Sequence, residues 1–177
     1  TCLERSLYMT LQLRELGRPI IVVVKKMDAL TRKRQTLDIK RLEEGLGCPV
    51  YALSSNNRQQ VQGFKEDLHK TLVKGIPEER FSLDYSQDVE QEIDALLPLW
   101  SSERGARAKA IRALGNDPLI VNSLTEEQRK KLTHSVDAIQ CDIDLLVANV
   151  KYSFLHDICK RVRKESGKVS HSTTETI

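Results

Sequence analysis

Residues 20–24 read Ile20-Ile21-Val22-Val23-Val24, and Lys25-Lys26-Met27-Asp28 follows them directly. An unbroken run of β-branched residues, without polar alternation, is typical of a parallel strand that is buried on both faces. The charged residues after the run predict a loop at the carboxyl end of this strand. Open α/β sheets bind their ligands at that end. The sequence therefore predicts an α/β unit with a candidate ligand site in residues 25–28.

Helical patterns and one further strand surround this segment. The helix predicted from Leu3 to Leu16 has a broad apolar face made of two adjoining stripes: Leu3, Leu7 and Leu11, and Met9, Leu13 and Leu16. A short helix from Asp38 to Leu46 ends at Gly47. Cys48 to Leu53 then predicts a second buried strand, and a last helix carries Val61, Phe64, Leu68, Leu72 and Val73. This order is that of α/β crossover units.

The predicted sheet is incomplete. A strand such as Ile20 to Val24, apolar on both faces, needs neighbours on both sides, yet the chain supplies one other convincing strand. Leaving one face in water would forgo the burial of aliphatic side chains worth about 1.5–3 kcal/mol each. We therefore expect the missing strands upstream of Thr1. The alternative is a compact two-stranded sheet sheltered by the helices, a unit that is marginal by itself.

Beyond Ile76-Pro77 the patterns are helical throughout. Helices are predicted from Val89 to Leu99, from Ala106 to Leu114 and from Thr125 to Val150, and a last one contains Leu155, Ile158 and Val162. The long helix begins with a capping-box match, and its apolar seam consists of Leu132, Val136, Ile139, Ile143, Leu146 and Val150. The predicted fold class is thus α/β plus all-α: the last two strands and three helices of a partial sheet, followed by a helical bundle.

Composition argues against several functions. The 177 residues carry a net charge of only +3, far from the basic surface that a phosphate-binding partner of nucleic acid needs, so no nucleic-acid partner is predicted. The cysteines and histidines are scattered without metal-ligand spacing, so no metal site is predicted. No apolar run of about 18 residues that would span a membrane occurs.

A second polar loop, Ser54-Ser55-Asn56-Asn57, follows the second predicted strand. Its small side chains allow backbone N–H groups to approach a ligand closely. On the first loop, the Asp28 carboxylate can accept two N–H hydrogen bonds from a guanine edge, and the aliphatic stem of a lysine can cover a base. Each loop alone is equally compatible with a solvated surface. Two such loops on neighbouring strands can form the two sides of one base pocket.

Several segments resemble the FeoB ferrous iron transporter family. Those similar to its G domain are Thr1 to Leu13, Glu15-Leu16-Gly17 with Pro19, Met27-Asp28, and Leu46 to Val50. Those similar to the end of its helical domain are Phe154 to Cys159 and Arg161-Val162-Arg163. The resemblance covers nearly the whole chain. It implies part of a Ras-like P-loop GTPase sheet in residues 1–76, a GDI-like helical regulatory domain in 77–166 that slows nucleotide release, and a flexible juxtamembrane linker in 167–177.

The same resemblance assigns roles in guanine recognition. It implies that Asp28 recognises guanine, that Lys26 packs along the base, and that Ser55 and Asn56 line the O6 side; Lys25 and Ser54 complete the predicted guanine-binding set. Lys25 stands where the family has Asn. Because an ammonium group only donates hydrogen bonds, whereas an amide both donates and accepts, we expect weaker or altered nucleotide binding.

The phosphate-binding signatures of such enzymes do not occur in the sequence. It contains no Gly-x-x-x-x-Gly-Lys-Ser/Thr and no Asp-x-x-Gly. We therefore predict no catalytic residue and no GTP hydrolysis by this chain. GTP or GDP binding, its Mg²⁺ ion and GTPase activity are expected of a longer parent protein.

The resemblance also implies partners and a location. The partners are guanine nucleotide, a polytopic membrane domain of the same protein, and small Feo-type accessory proteins; the location is the cytoplasmic face of the bacterial inner membrane. A basic cluster fits the positive-inside rule for a segment ahead of a membrane helix: Lys151, Lys160, Arg161, Arg163, Lys164 and Lys168. The alternative is a basic helix end favoured by the helix dipole.

The predicted function is the cytoplasmic GTP-binding regulatory part of a ferrous iron membrane transporter, which couples guanine-nucleotide state to Fe²⁺ uptake. Two alternatives from other classes stay open. One is a soluble translation- or RNA-associated GTPase with an appended helical domain, whose expected basic face is not evident. The other is a helical protein-interaction module without nucleotide chemistry.

Overall fold

The structure, a computed structural model, describes residues 3–25, 27, 35–54, 58–76 and 81–165. The first half contains α1 (Leu3–Glu15), β1 (Val22–Lys25), β2 (Gln35–Leu37), α2 (Ile39–Leu46), β3 (Val50–Leu53) and α3 (Arg58–Lys74). The second half contains α4 (Gln87–Leu96), a 3-10 turn (Leu97–Trp100), α5 (Ala106–Leu114), α6 (Pro118–Val121), α7 (Glu126–Ala138), α8 (Ile143–Val162) and β4 (Arg163–Glu165). The order agrees with a small α/β sheet followed by a helical bundle.

The two predicted strands pair in parallel. β1 lies against β3 with Val22 opposite Val50 and Lys25 opposite Leu53. Within the described ranges β1 has no second neighbouring strand, and the side chain of Val23 is 37% exposed. The open edge and the exposed Val23 agree with the predicted incomplete sheet, and burial of this segment on both faces stays a prediction.

The helices beside the sheet keep part of their apolar surface in solvent. In α1 the stripe with Leu7 and Leu11 is buried, whereas Met9 is 65% and Leu13 43% exposed. The predicted broad buried face of α1 is thus wrong, since one stripe alone finds a partner. The 17 residues of α3 include no buried residue. That helix is held to β3 by Tyr51, whose hydroxyl lies 2.6 Å from the Thr71 hydroxyl.

A second small sheet was not predicted from the sequence. β2 and β4 pair antiparallel, with Gln35 opposite Glu165, Thr36 opposite Lys164 and Leu37 opposite Arg163. Both strands are three residues long, and Leu37 is the one apolar residue among their six, so neither shows the alternation of apolar and polar residues that marks a strand. The expectation that strands stop after residue 77 is therefore wrong.

The helical bundle has its own apolar core. Residues from α4, α5, α7 and the start of α8 form it, together with Trp100, Ile120 and Leu124. The bounds of α5 match the predicted helix, and the capping box at α7 is confirmed: the Thr125 N–H donates to Gln128 Oε1 at 2.9 Å. The predicted continuous helix from Thr125 to Val150 is wrong. Ile139 is extended, and Asp142 caps a new helix by accepting from the Leu145 N–H at 3.0 Å.

Helix α8 belongs to two cores. Its first turn contributes Ile143 to the bundle, and its later turns contribute Leu155, Ile158 and Val162 to a second core with α1, α2 and β3. A Cβ on Gly45 would lie 3.2 Å from the Ile158 side chain, so glycine allows α2 to approach α8 closely. The domain division predicted at residue 76 stays a prediction. Helix α8, a single helix of 20 residues, packs in both cores.

A buried ion pair fastens the two parts to each other. Lys151 Nζ on α8 lies 2.8 Å from Glu15 Oε2 at the end of α1, and the two side chains are 6% and 11% exposed. Lys151 was predicted to belong to a basic surface cluster, and that assignment is wrong because the ammonium group is turned inward to this carboxylate. Beside the pair, Gly105 at the start of α5 meets the Leu16 carbonyl: a Cβ there would lie 2.9 Å from the oxygen.

Candidate functional site

The carboxyl ends of β1 and β3 lie side by side. Lys25 ends β1, is exposed, and is opposite Leu53, so Ser54 follows immediately on the adjacent strand. Of the predicted guanine-binding residues, these two are described by the structure, and the parallel register brings them to one edge of the sheet. Parallel pairing produces this proximity because the carboxyl ends of the strands point the same way.

The end of β3 is hydrogen-bonded to the helix that follows in sequence. The Ser54 N–H donates to Oε1 of Gln60 at 3.3 Å, a contact from the first turn of α3 back to the end of the strand. Gln60 was not among the predicted site residues. The signal that could have found it is a polar side chain in the first turn of a helix, because such a side chain can accept from a backbone N–H just before the helix.

The remaining predicted contacts, Lys26, Asp28, Ser55 and Asn56, lie outside the described residues. Met27 is described and half-buried. The described part of the edge offers an exposed ammonium group at Lys25 and a half-buried small hydroxyl at Ser54, groups compatible with one side of a purine base. It holds no glycine-rich phosphate loop, in keeping with the sequence, so these residues do not fit the triphosphate or its Mg²⁺ ion.

The residues that follow β2 are hydrogen-bonded to the carboxyl end of α8. The Asp38 carboxylate caps α2 by accepting from the Arg41 N–H at 3.2 Å, while the Asp38 N–H donates to the Val162 carbonyl at 2.9 Å. Arg41 also reaches the Arg161 carbonyl at 3.5 Å. The start of α2 therefore donates hydrogen bonds to carbonyl groups at the carboxyl end of α8. These residues are too far apart in sequence for a local pattern to predict the contact.

A charged cluster lies in the bundle. Arg107 on α5 donates to both carboxylate oxygens of Glu90 on α4, at 2.6 and 2.8 Å, and to the Leu83 carbonyl at 2.8 Å. The hydrogen bonds from Arg107 lower the pKa of Glu90, against the opposing effect of desolvation. Burial raises the pKa of Tyr85, whose N–H donates to the same carboxylate at 2.7 Å. This cluster links α5 to α4 and to the segment that precedes α4.

Burial also decides the chemistry of a core thiol. Desolvation raises the pKa of Cys48, so its thiol stays protonated and unreactive at neutral pH. Across the ranges that the structure describes, no group of three or more His, Cys, Asp or Glu residues is arranged to hold a metal ion. In the same ranges, no helix combines the length and the apolar character needed to cross a membrane.

Two family profiles match the chain in succession. Residues 1–68 match the profile described as ferrous iron transport protein B. Residues 85–164 match the profile described as the FeoB cytosolic helical domain. The order of the two matches follows the order of the sheet and the bundle in the fold.

Curated relatives extend this similarity over the chain. The Fe(2+) transporter FeoB of Legionella pneumophila is 25% identical over 177 residues, which is 99% of this chain and 23% of the relative. The Fe(2+) transporter FeoB of Salmonella typhimurium is 27% identical over 163 residues, which is 89% of this chain and 21% of the relative. The chain thus spans less than a quarter of the length of these relatives.

Solved structures show the same fold. A crystal structure of a mutant S. thermophilus NFeoB bound to GDP has a TM-score of 0.75 at 26% identity and covers 92% of this chain and 65% of that one. The structure of the cytosolic domain of L. pneumophila FeoB has a TM-score of 0.71 at 25% identity, covering 92% and 64%. The predicted fold class, a partial GTPase sheet followed by a helical domain, is confirmed. Sequence profiles, relatives and fold together show that this chain belongs to the FeoB family of ferrous iron transport proteins.

Proposed function

We propose that this chain provides the guanine-recognition part of a nucleotide-binding domain, together with the helical domain that regulates it, in a ferrous iron transporter. The observation that carries the proposal is the parallel register of β1 and β3, with Lys25 and Ser54 at adjoining strand ends. Asp28 is three positions beyond Lys25, the described end of that edge. Its carboxylate accepts the N1 and N2 hydrogens of guanine, which gives selectivity over adenine.

The other proposed guanine contacts are those that the family resemblance implies. The aliphatic stem of Lys26 covers one face of the base. Ser54, Ser55 and Asn56 supply small side chains and N–H groups toward O6, and Gln60 supports their loop through the Ser54 N–H. Lys25 contributes a donor in place of the amide that the family has there, so affinity for the base is lower than with Asn.

Triphosphate and Mg²⁺ contacts belong to another part of the longer protein. Relatives bound to GDP in crystals support nucleotide binding by the family, and Mg²⁺ is expected with GTP because phosphoryl transfer depends on it. Residues 1–177 alone hydrolyse no GTP in this proposal, since neither phosphate signature occurs in them.

Transport and location are inferred from the family. The relatives are Fe(2+) transporters, so Fe²⁺ is the proposed cargo, and guanine-nucleotide state is proposed to control its uptake through the helical domain. The proposed partners are a membrane domain of the same protein and small Feo-type accessory proteins, at the cytoplasmic face of the bacterial inner membrane. The basic residues Lys160, Arg161 and Arg163 near the end of α8 suit an anionic lipid surface.

A change of base specificity tests the guanine assignment. Asp28→Asn in the full-length protein replaces an acceptor-only carboxylate with an amide that also donates, which suits the C2 carbonyl of xanthine. We expect GDP affinity to fall at least about tenfold and XDP affinity to rise, as one charged hydrogen-bonding interaction contributes about 1.5–3 kcal/mol. Calorimetric titration with GDP, XDP and ADP measures all three.

Lys25→Asn is the matched variant at the same loop. It restores an amide that donates and accepts, and we expect GDP affinity to rise by about threefold to tenfold. Unchanged affinity would show that Lys25 does not weaken base binding. Equal GDP and ADP affinities in the unmodified protein, or no effect of Asp28→Asn, would contradict guanine recognition at this loop.

A further inference from the structure

We propose that a cavity between the end of α1 and the start of α5, here called the junction cavity, binds one structural water molecule that accepts a hydrogen bond from Arg107 and donates one to Glu15. This water joins the buried ion pair of Glu15 and Lys151 to the charged cluster of Arg107 and Glu90. The site is separate from the proposed guanine edge and does not depend on nucleotide binding.

The junction cavity forms where two helix ends meet. Gly105, just before α5, lies against the Leu16 carbonyl, and a Cβ there would come within 2.9 Å of the oxygen. The volume of the cavity is about 10 Å³, which is about the space that a single water molecule needs. A larger ligand does not fit. The lining comes from three segments of the chain and includes Glu15, residues 81–83, Arg107 and Ala108.

Two side chains that line the junction cavity each carry a buried polar atom with no hydrogen-bond partner among the described residues. These atoms are Oε1 of Glu15 and Nε of Arg107. Their other polar atoms are already used: Glu15 Oε2 lies 2.8 Å from Lys151 Nζ, and both terminal nitrogens of Arg107 donate to Glu90. Buried donors and acceptors are almost always paired with protein or with ordered water. One donor and one acceptor at this cavity therefore need a partner.

A water molecule is the ligand that satisfies both atoms at once. The Arg107 Nε–H needs an acceptor and the Glu15 carboxylate needs a donor, and one water supplies both. The charges around the cavity argue against an ion. The guanidinium group of Arg107 and the ammonium group of Lys151 repel a cation, and the carboxylates of Glu15 and Glu90 repel an anion. The site is therefore assigned to a neutral ligand.

Unpartnered polar atoms concentrate at this junction. In the ranges that the structure describes, four buried side-chain atoms lack a partner, and they belong to Arg14, Glu15, Tyr85 and Arg107. The guanidinium carbon of Arg107 lies 5.8 Å from the centre of the Tyr85 ring. The pKa of Tyr85 is raised first by burial and next by the negative charge of Glu15. Tyr85 thus lies near both residues of the bridge, and buried water molecules are typically found at such groups of unpaired polar atoms.

Nuclear magnetic resonance of the 177-residue chain tests the site in solution. A water molecule held inside a protein gives a nuclear Overhauser effect with the protons that it touches, and we expect one at the Arg107 Nε–H. The internal control is the Arg129 Nε–H in the same bundle, which donates directly to the Leu124 carbonyl at 3.3 Å and should show no long-lived water. A crystal structure should place density about 2.5–3.2 Å from both Glu15 Oε1 and Arg107 Nε.

A larger side chain in the cavity wall should displace the water. Ala108→Val adds two methyl groups there, and we expect the water signal at the Arg107 Nε–H to be lost. We also expect the melting temperature to fall by about 2–8 °C, because the site is overpacked and two polar atoms lose their partner. The matched control is Ala110→Val on the same helix, at a fully buried alanine that does not line the cavity. It should also lower the melting temperature but should keep the water signal.

The outcomes decide the assignment. A water signal at the Arg107 Nε–H that Ala108→Val removes and Ala110→Val keeps supports the site. Absence of the signal in the unmodified chain overturns it, and so does a crystal structure in which Glu15 Oε1 contacts Arg107 Nε directly. An anomalous peak in the cavity after a rubidium soak would identify a cation and overturn the assignment to water. The measurements on the unmodified chain decide the question even if Ala108→Val does not fold.

Discussion

The two halves of the molecule differ in how well they cover their own apolar surface. In the bundle, α5 buries five of its nine residues, namely Ala108, Ala110, Ile111, Ala113 and Leu114. Beside the sheet, the 17-residue α3 buries none, and its Leu72 and Val73 are exposed. Met9, Leu13 and Val23 are also exposed in that half. Side chains with the same apolar character are core in one half and surface in the other.

The two halves therefore obtain their stability in different ways. The bundle closes a core from helices that are neighbours in sequence. The sheet half closes a core with residues that come from the far end of the chain: Leu155, Ile158, Cys159 and Val162 on α8 pack with Leu7, Leu11, Leu42 and Leu46. Without α8, the stripe of α1 that contains Leu7 and Leu11 would be exposed as well. The predictions below test this dependence.

The largest effect is expected at the buried ion pair that fastens the halves. Glu15→Ala leaves the Lys151 ammonium group buried without its partner, and we expect the free energy of unfolding to fall by about 3–5 kcal/mol in urea denaturation. The control is the double substitution Glu15→Leu with Lys151→Met, which removes both charges and should recover most of the loss. A loss below about 1 kcal/mol for Glu15→Ala would mean that water reaches the ammonium group.

Because α8 packs in both cores, a cavity in one core should also destabilise the other. Leu155→Ala empties a fully buried site in the sheet half, and we expect a loss of about 2–5 kcal/mol. Leu145→Ala, at an exposed position on the same helix, should change stability by less than about 0.5 kcal/mol. Trp100 reports on the bundle by fluorescence, and circular dichroism reports on both halves. Equal unfolding midpoints by both methods would indicate one cooperative unit, and different midpoints would indicate two.

The bracing carboxylate of the bundle should make that half sensitive to acid. The pKa of Glu90 is lowered in the folded state, chiefly by hydrogen bonds from Arg107. The unfolded chain therefore takes up this proton first as the pH falls, so the stabilisation is present above the unfolded pKa of about 4.3 and is lost below it. We expect Glu90→Gln to cost about 1–3 kcal/mol near pH 7 and less near pH 3. Denaturation curves at both pH values measure this, and an equal cost at both would contradict it.

The smallest effect is expected on the exposed stripe of α1. Leu13→Gln should change the stability of residues 1–177 by less than about 0.5 kcal/mol, because the side chain is already 43% exposed. We propose that the strands expected beside β1 also cover this stripe in the full-length protein, so the same substitution should cost about 1–3 kcal/mol there. Thermal unfolding of both proteins gives the contrast. Equal effects in the two would remove the reason to expect strands over α1.

Part of the candidate site could be predicted and part could not. The position of Lys25 and Ser54 at neighbouring strand ends follows from the apolar runs that precede them, because parallel strands align their carboxyl ends. The guanine-binding roles of Lys25, Lys26, Asp28, Ser54, Ser55 and Asn56 stay predictions. The support from Gln60 was missed, since a hydrogen bond from a helix back to a strand end depends on how the loop between them folds.

Local sequence patterns predicted the two apolar strand segments, the bounds of α5 and the capping box at Thr125. These depend on residues within a few positions of one another, where apolar period, caps and glycines act directly. The tertiary structure alone decided that β4 pairs with β2, that Lys151 is buried against Glu15, and that α8 serves two cores. The physical reason is that burial depends on what packs across from a side chain, and here the partner comes from the opposite end of the chain.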